Sequence, residues 1–312
     1  GGNWSATGTW VGGVVPTAAD DVVLASTSGN VTLDTSACNC RSLDCAATGN
    51  YAGTLNLVNN LNIGDGAAGA GNRALRLSSA MTVAGGAWAL TFSANGLGTT
   101  QTIDTANKSL PTAVTFGYIT SGNYQLASAL TTTSTITHTR GTLDTNNQAV
   151  TCGAFASNNT NTRTLTLGSS TITCTAASSN AWDTTTVTGL TVTANTATVV
   201  CSGANGAASM GTLAYNGLSV SLTGSGTQYI TGGHPTILNY SRIGTAAKTD
   251  VLNFGVAVVT VTGTFTVTGN STTNRVLVTS NTTGTARTVT AAAVSLANAD
   301  FADITGAGAA SW

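Results

Sequence analysis

Apolar and polar positions alternate with a period of two along most of the chain, in short runs separated by Gly, Asn and Ser clusters every eight to ten residues or so. Residues 163–167 and 188–192 show the pattern most plainly. Such runs predict short strands joined by tight turns, and residues 141–203 form the most regular stretch. A weaker copy lies about 88 to 94 residues earlier. There Gly53-Thr54-Leu55-Asn56 answers Gly141-Thr142-Leu143-Asp144, and Asn59-Asn60 answers Asn146-Asn147. Arg73-Ala74-Leu75-Arg76-Leu77 likewise answers Arg163-Thr164-Leu165-Thr166-Leu167, and Ala87-Trp88 answers Ala181-Trp182. A shorter third copy runs from Gly263-Thr264-Phe265 to Asn274-Arg275-Val276-Leu277-Val278. Repetition at this period predicts an all-β fold: a β-helix or β-solenoid of irregular coils of roughly 20 to 27 residues, about ten to thirteen of them, with an N-terminal cap.

Stacked coils share one continuous core however many follow one another, so the reading is a single elongated solenoid over residues 1–312. Residues 1–58 are read as cap and first coils, 59–243 as main coils with the internal duplication, and 244–312 as C-terminal coils. The tripeptide Leu-Asp-Thr or Ile-Asp-Thr recurs at Leu33, Ile103 and Leu143, each time before a polar turn, where an Asp side chain can accept backbone N–H bonds. Between Tyr215 and Thr249 the alternation loosens around His234-Pro235, Tyr240-Ser241-Arg242 and Lys248, which predicts a longer excursion or a change of register. No cap-like segment follows Leu296, so the last coil is expected to be covered by further chain or by another subunit. The opening GGNWSATGTW carries neither an initiator Met nor a leader pattern and leaves export open.

Composition sharpens this picture. Charged residues are 7% of the chain against roughly 25% in ordinary soluble proteins, and no Glu is present. Threonine supplies about a fifth of all residues, which suits a pleated, half-buried surface. A net charge of -1 without a Lys/Arg cluster argues against nucleic acid as a partner. The most apolar run, residues 251–267, alternates like a strand and argues against membrane insertion.

The spacing Trp10-x-Gly12-Gly13-x-x-Pro16-x3-Asp20-Asp21-Val22-Val23-Leu24, then Val31-x-Leu33-Asp34 and Gly53-Thr54-Leu55, resembles the N-terminal part of the eight-glycine extracellular β-helix domain family. It is similar also to the opening of uncharacterised phage tail-region and bacterial surface β-helix proteins. The resemblance covers residues 1–58 and implies a virion or cell-surface β-helix. It carries no catalytic residue over.

Candidate chemistry is sparse. Cys152, Cys174 and Cys201 are spaced by about one coil and are read as stacked small core residues or as the source of one disulfide. Cys38, Cys40 and Cys45 lack a nearby fourth zinc ligand and are read as a local disulfide or free thiols. His138 and His234 lie in no nucleophile motif. Eleven Asp serve the whole chain; Asp20 and Asp21 would point to opposite faces of a strand, Asp300 and Asp303 form a weak pair, and Gly64-Asp65-Gly66 offers one carboxylate where a calcium repeat has a series. No catalytic, cofactor-binding or metal residue is therefore singled out. The function expected is non-catalytic: a structural or adhesive component of a phage tail fibre, spike or other virion or cell-surface appendage. Its partners would be further copies of itself, other appendage subunits or cell-surface glycans. A polysaccharide-cleaving β-helix is the alternative, and an ice-binding solenoid, suggested by the T-x-T tracts, is the third. Finally, Arg73, Arg163 and Arg275 are expected at equivalent coil edges with Leu75, Leu77, Leu165, Leu167 and Leu277 buried behind them.

Overall fold

A computed structural model describes residues 1–36, 38–64, 67–86, 89–93, 98–119, 121–247, 250–309 and 311–312. Strands hold 48% of residues and helix 2%, and parallel sheets wind into a β-solenoid of about 11 turns. The backbone contacts divide the chain into two compact units. One holds Gly1–Thr151 with Asn161–Thr166; the other holds Cys152–Thr160 with Leu167–Trp312.

In the first unit each coil visits successive faces in turn. Thr54–Leu57, Leu61–Ile63 and Arg73–Arg76 make one such coil, and Thr82–Gly85, Ala89–Phe92 and Thr100–Asp104 make the next. Each strand pairs in parallel with its counterpart one coil on, as Leu90 with Val114 and Ile103 with Leu126. A parallel partner must come from a later coil, because the chain has to cross round before it can run in the same direction again. Period-two alternation then sorts side chains: apolar residues line the interior, and Thr, Asn and Gln face out. One inward column reads Cys40, Ile63, Phe92, Phe116 and His138. Within it the Phe92 and Phe116 rings stack with centroids 5.2 Å apart. Each such buried ring contributes about 1.5 to 3 kcal/mol.

The second unit uses two main stacks. One runs through Trp182–Thr184, Ala207–Met210, Thr227–Gly232, Val251–Phe254, Val276–Ser280 and Ala299–Ala302. The other runs through Thr171–Cys174, Thr198–Cys201, Ser219–Leu222, Asn239–Ile243, Val258–Thr268 and Arg287–Ala297. Its last two strands have 11 residues each, and their pairing shifts register between Val261 and Thr264, where the strand bends. Phe155 stacks on Trp182 at 4.6 Å, and Tyr240 on Phe265 at 5.9 Å. The loosened stretch after Tyr215 runs as ordinary strands, with Tyr215, Tyr240 and Arg242 all fully buried. Lys248 and Thr249 lie outside the described residues, as do Ala87-Trp88 and Asp65-Gly66.

The leucine register holds for Leu75, Leu77, Leu165 and Leu167, all buried, and fails for Leu277, which is 40% exposed. Val276 and Val278 point inward instead, because Leu252 and Phe254, the inward residues of the preceding strand, pair with Val278 and Ser280. The edge placement fails for Arg163, which is completely buried and donates from Nε to the Asn161 carbonyl at 3.0 Å. Parity explains this: Arg163 is two residues from Leu165 and shares its inward side. Arg73 and Arg275 are partly exposed and reach Asp44 and Asp300.

Candidate functional site

The carboxylates come first, since any hydrolytic chemistry would need them. Ten of the eleven Asp are described, and each accepts at least one hydrogen bond from a fixed protein donor. Three modes recur. Asp104 and Asp144 close Asx turns onto the N–H of Ala106 and Asn146, both at 2.8 Å, as their place before a polar turn predicts. Asp34, the third member of that motif, reaches across to the Ser5 N–H instead. The hydrogen bonds from Ser5 hold its carboxyl below the usual value. Asp21 is gripped by Arg41 and Ser42, and the Arg41 bond keeps its carboxyl low. Asp44 accepts two bonds from Arg76, at 2.8 Å each. Asp20 lies just before the strand that begins at Asp21 and turns to the Thr17 N–H and hydroxyl, which lower its pKa, so the turn rather than strand alternation separates the adjacent pair. Asp300 is paired with Arg275, while Asp303 accepts the Gly284 N–H, so they form no joint site.

Asp250 and Arg242 escaped the sequence reading as a pair. Their side chains are 1% and 0% exposed and 3.4 Å apart. Asp250 also accepts the N–H of Gly226 and of Thr245, and Arg242 donates to the carbonyls of Gly226 and Ile243. Burial lowers the Arg242 pKa, and the charge of Asp250 opposes that effect. This is a fully hydrogen-bonded ion pair inside the second unit. The one signal in the sequence was bulk and charge within an otherwise small-residue stretch.

His138 ends the inward aromatic column of the first unit with no exposure, its Nε2 3.1 Å from the Gly141 carbonyl. Burial lowers its pKa to about 4, so the ring is neutral near pH 7. His234 is exposed. All six cysteines are buried, and burial raises the Cys45 thiol to about 12 and the Cys40 thiol further. Among the described residues no cluster of three or more His, Cys or Asp has metal-holding geometry.

Two surfaces remain. The first is a cleft of about 390 Å³ in the first unit, lined by Trp10, Val14, Pro16, Asp20, Asp21 and Val22 among others. Trp10 is set by an edge-on contact with buried Trp4 and by its own Nε1 donating to the Trp4 carbonyl at 2.8 Å. An indole beside an ionised carboxylate offers a ligand one flat apolar wall and one strong acceptor. Further along the same sheet, the outward face of the first unit carries Thr102, Gln125, Asp144 and Thr166 in one register column and Thr100, Asn123, Thr142 and Thr164 in the next. The second surface lies on the second unit, where Thr171, Thr198, Ser219 and Asn239 form one outward column and Thr173, Val200, Ser221 and Ser241 another. Several of these groups bond laterally, as Ser241 Oγ to Ser221 Oγ at 2.9 Å and Asn239 to Ser219 Oγ at 3.1 Å. No described helix is long and apolar enough to cross a membrane.

Comparison of the chain with protein-family models, curated proteins and solved structures returned no match, and so does not bear on the resemblance of residues 1–58.

Proposed function

We propose that this chain is a non-catalytic structural or adhesive β-solenoid of a virion or cell-surface appendage. The observation that carries this reading is the engagement of every described carboxylate in a turn, an arginine pair or a link between neighbouring segments. A glycosidase needs one carboxyl as general acid and a second placed across the scissile bond. Asp44, Asp104 and Asp144 share one face of the first unit, but Asp44 is held by Arg76 and the other two close turns. That leaves the outward polar columns and the Trp10 cleft as places for contact rather than turnover. Planar amides, carboxylates and an indole are the groups that hydrogen-bond and stack on sugars, so a cell-surface glycan is the ligand class that suits them.

The ice-binding reading draws on the hydroxyl columns of the second unit. Val200 and Asn239 interrupt those columns, and the lateral bonds occupy hydroxyls that would have to order water, so it ranks below adhesion. The test is a glycan array probed with the whole chain, with mass spectrometry of the eluted glycans. Binding of intact glycans, weakened by Trp10→Ala, is expected. Shortened or unsaturated products would overturn the reading.

A further inference from the structure

We propose that Cys152 and Cys174 are the two partners of a disulfide that staples adjacent coils of the second unit, with Cys201 left as a thiol. The backbone places the pair. The Thr175 N–H donates to the Cys152 carbonyl at 2.9 Å, which sets Cys174 directly opposite Cys152. The Ser202 N–H donates to the Cys174 carbonyl in the same way, setting Cys201 opposite Cys174, as the register Cys174 to Cys201 states. Neighbouring strands lie about 4.8 Å apart. That spacing falls within the roughly 4.4 to 6.8 Å range of Cα separations that a disulfide spans.

Cys174 thus has a cysteine on either side, and the side-chain directions choose between them. Its Sγ lies 4.0 Å from Sγ of Cys152. The thiol of Cys201 points instead to the Ala207 carbonyl at 3.6 Å. The first pair has to close from 4.0 Å to the bonded distance of about 2.05 Å, whereas the second also requires Cys201 to give up its acceptor. The two sulfurs face each other in an interior with no exposure at either residue.

The chemistry needs an external oxidant, a small-molecule disulfide such as oxidised glutathione. One cysteine thiolate attacks it, forming a mixed disulfide and releasing one small thiol. The second cysteine thiolate then attacks the protein sulfur of that mixed disulfide and releases the other. Two protons and two electrons leave the cysteines, one S–S bond forms, and the oxidant departs as two thiols. The contact with Cys174 and then burial raise the pKa of Cys152, burial raises that of Cys201, and the pair is shut off from solvent, so the exchange belongs to the chain before its coils close. An oxidising compartment during folding is therefore the condition under which the staple forms.

The experiment compares the full chain made in a reducing bacterial cytosol with the same chain exported to the periplasm. Each is denatured in an alkylating reagent and mapped by mass spectrometry. The cytosolic protein should alkylate at all six cysteines. The periplasmic protein should alkylate at four, with one cross-linked peptide pair containing Cys152 and Cys174, and its thermal midpoint should fall on reduction. Cys201→Ala should keep the cross-link, and Cys174→Ser should abolish it. If Cys174→Ser does not accumulate, Cys152→Ser serves the same purpose. Six alkylated cysteines in the periplasmic protein, or a cross-link that joins Cys174 to Cys201, would overturn the assignment. Either result leaves the proposed function standing, since the glycan test does not depend on the cross-link.

Discussion

Leu165 and Leu277 occupy the same place in two similar-looking runs, Arg-Thr-Leu and Arg-Val-Leu, and have opposite fates. Leu165 is fully buried between Leu143 and its interior neighbours, while Leu277 is 40% exposed. Leu165→Ala should therefore cost about 2 to 5 kcal/mol in denaturant melts. Leu277→Ala should cost less than about 1 kcal/mol, since surface truncations away from special features usually do. His138 gives a pH-dependent counterpart. Its folded pKa of about 4 lies below the ordinary 6.5, so between these values the unfolded chain binds more protons. Stability from this residue is full above pH 6.5 and is lost as pH falls toward 4, by about 3 kcal/mol in all. His138→Phe, which extends the Phe92 and Phe116 column, should flatten that part of the stability profile whatever its offset. Carboxylates held low by their partners, such as Asp21 beside Arg41, lose their contribution only in more acid solution. The inward direction of Leu165 was legible from alternation. That of Arg163 was legible too, by the same parity, but charge argued the other way, and the buried guanidinium donates to the nearby Asn161 carbonyl.

At the scale of one coil, the turn after residues 141–144 shows what specifies the corners. Gly141 has φ +80°, and a Cβ there would lie 2.2 Å from the Gly122 carbonyl of the coil before. Asp144 caps the Asn146 N–H, Asn146 and Asn147 both adopt positive φ, and the Asn146 amide donates to Leu126 of the neighbouring coil at 3.0 Å. Asn tolerates that left-handed conformation better than residues with a larger aliphatic Cβ branch. Asn146→Ala removes both the tolerance and the link, and should lower stability by about 1 to 2 kcal/mol. Asn146→Gly keeps the first and loses the second, so it should fall between the wild type and Ala in thermal melts. Turn chemistry of this kind was readable from the Asp-Thr-Asn-Asn string. Which face each strand joins was not, because period two fixes an inside and an outside but says nothing of how far the chain bends at a corner. Leu277 shows the cost: Asn274-Arg275 looks like a coil start, yet the following strand takes its parity from Leu252 and Phe254.

For the molecule as a whole, the fold was legible because it is repeated: each coil restates the same alternation, and parallel pairing follows from it. The surfaces were not, since the Trp10 cleft depends on how residues 1–31 fold back together, and the polar columns depend on register across four coils. The central claim is that this solenoid serves as part of an appendage. Electron microscopy of the native source, with gold-labelled antibody against the chain, tests it most directly. The account predicts label on fibres or spikes of virions or cell surfaces, at repeated positions along them. Label confined to free protein, with none on any particle or surface, would contradict it.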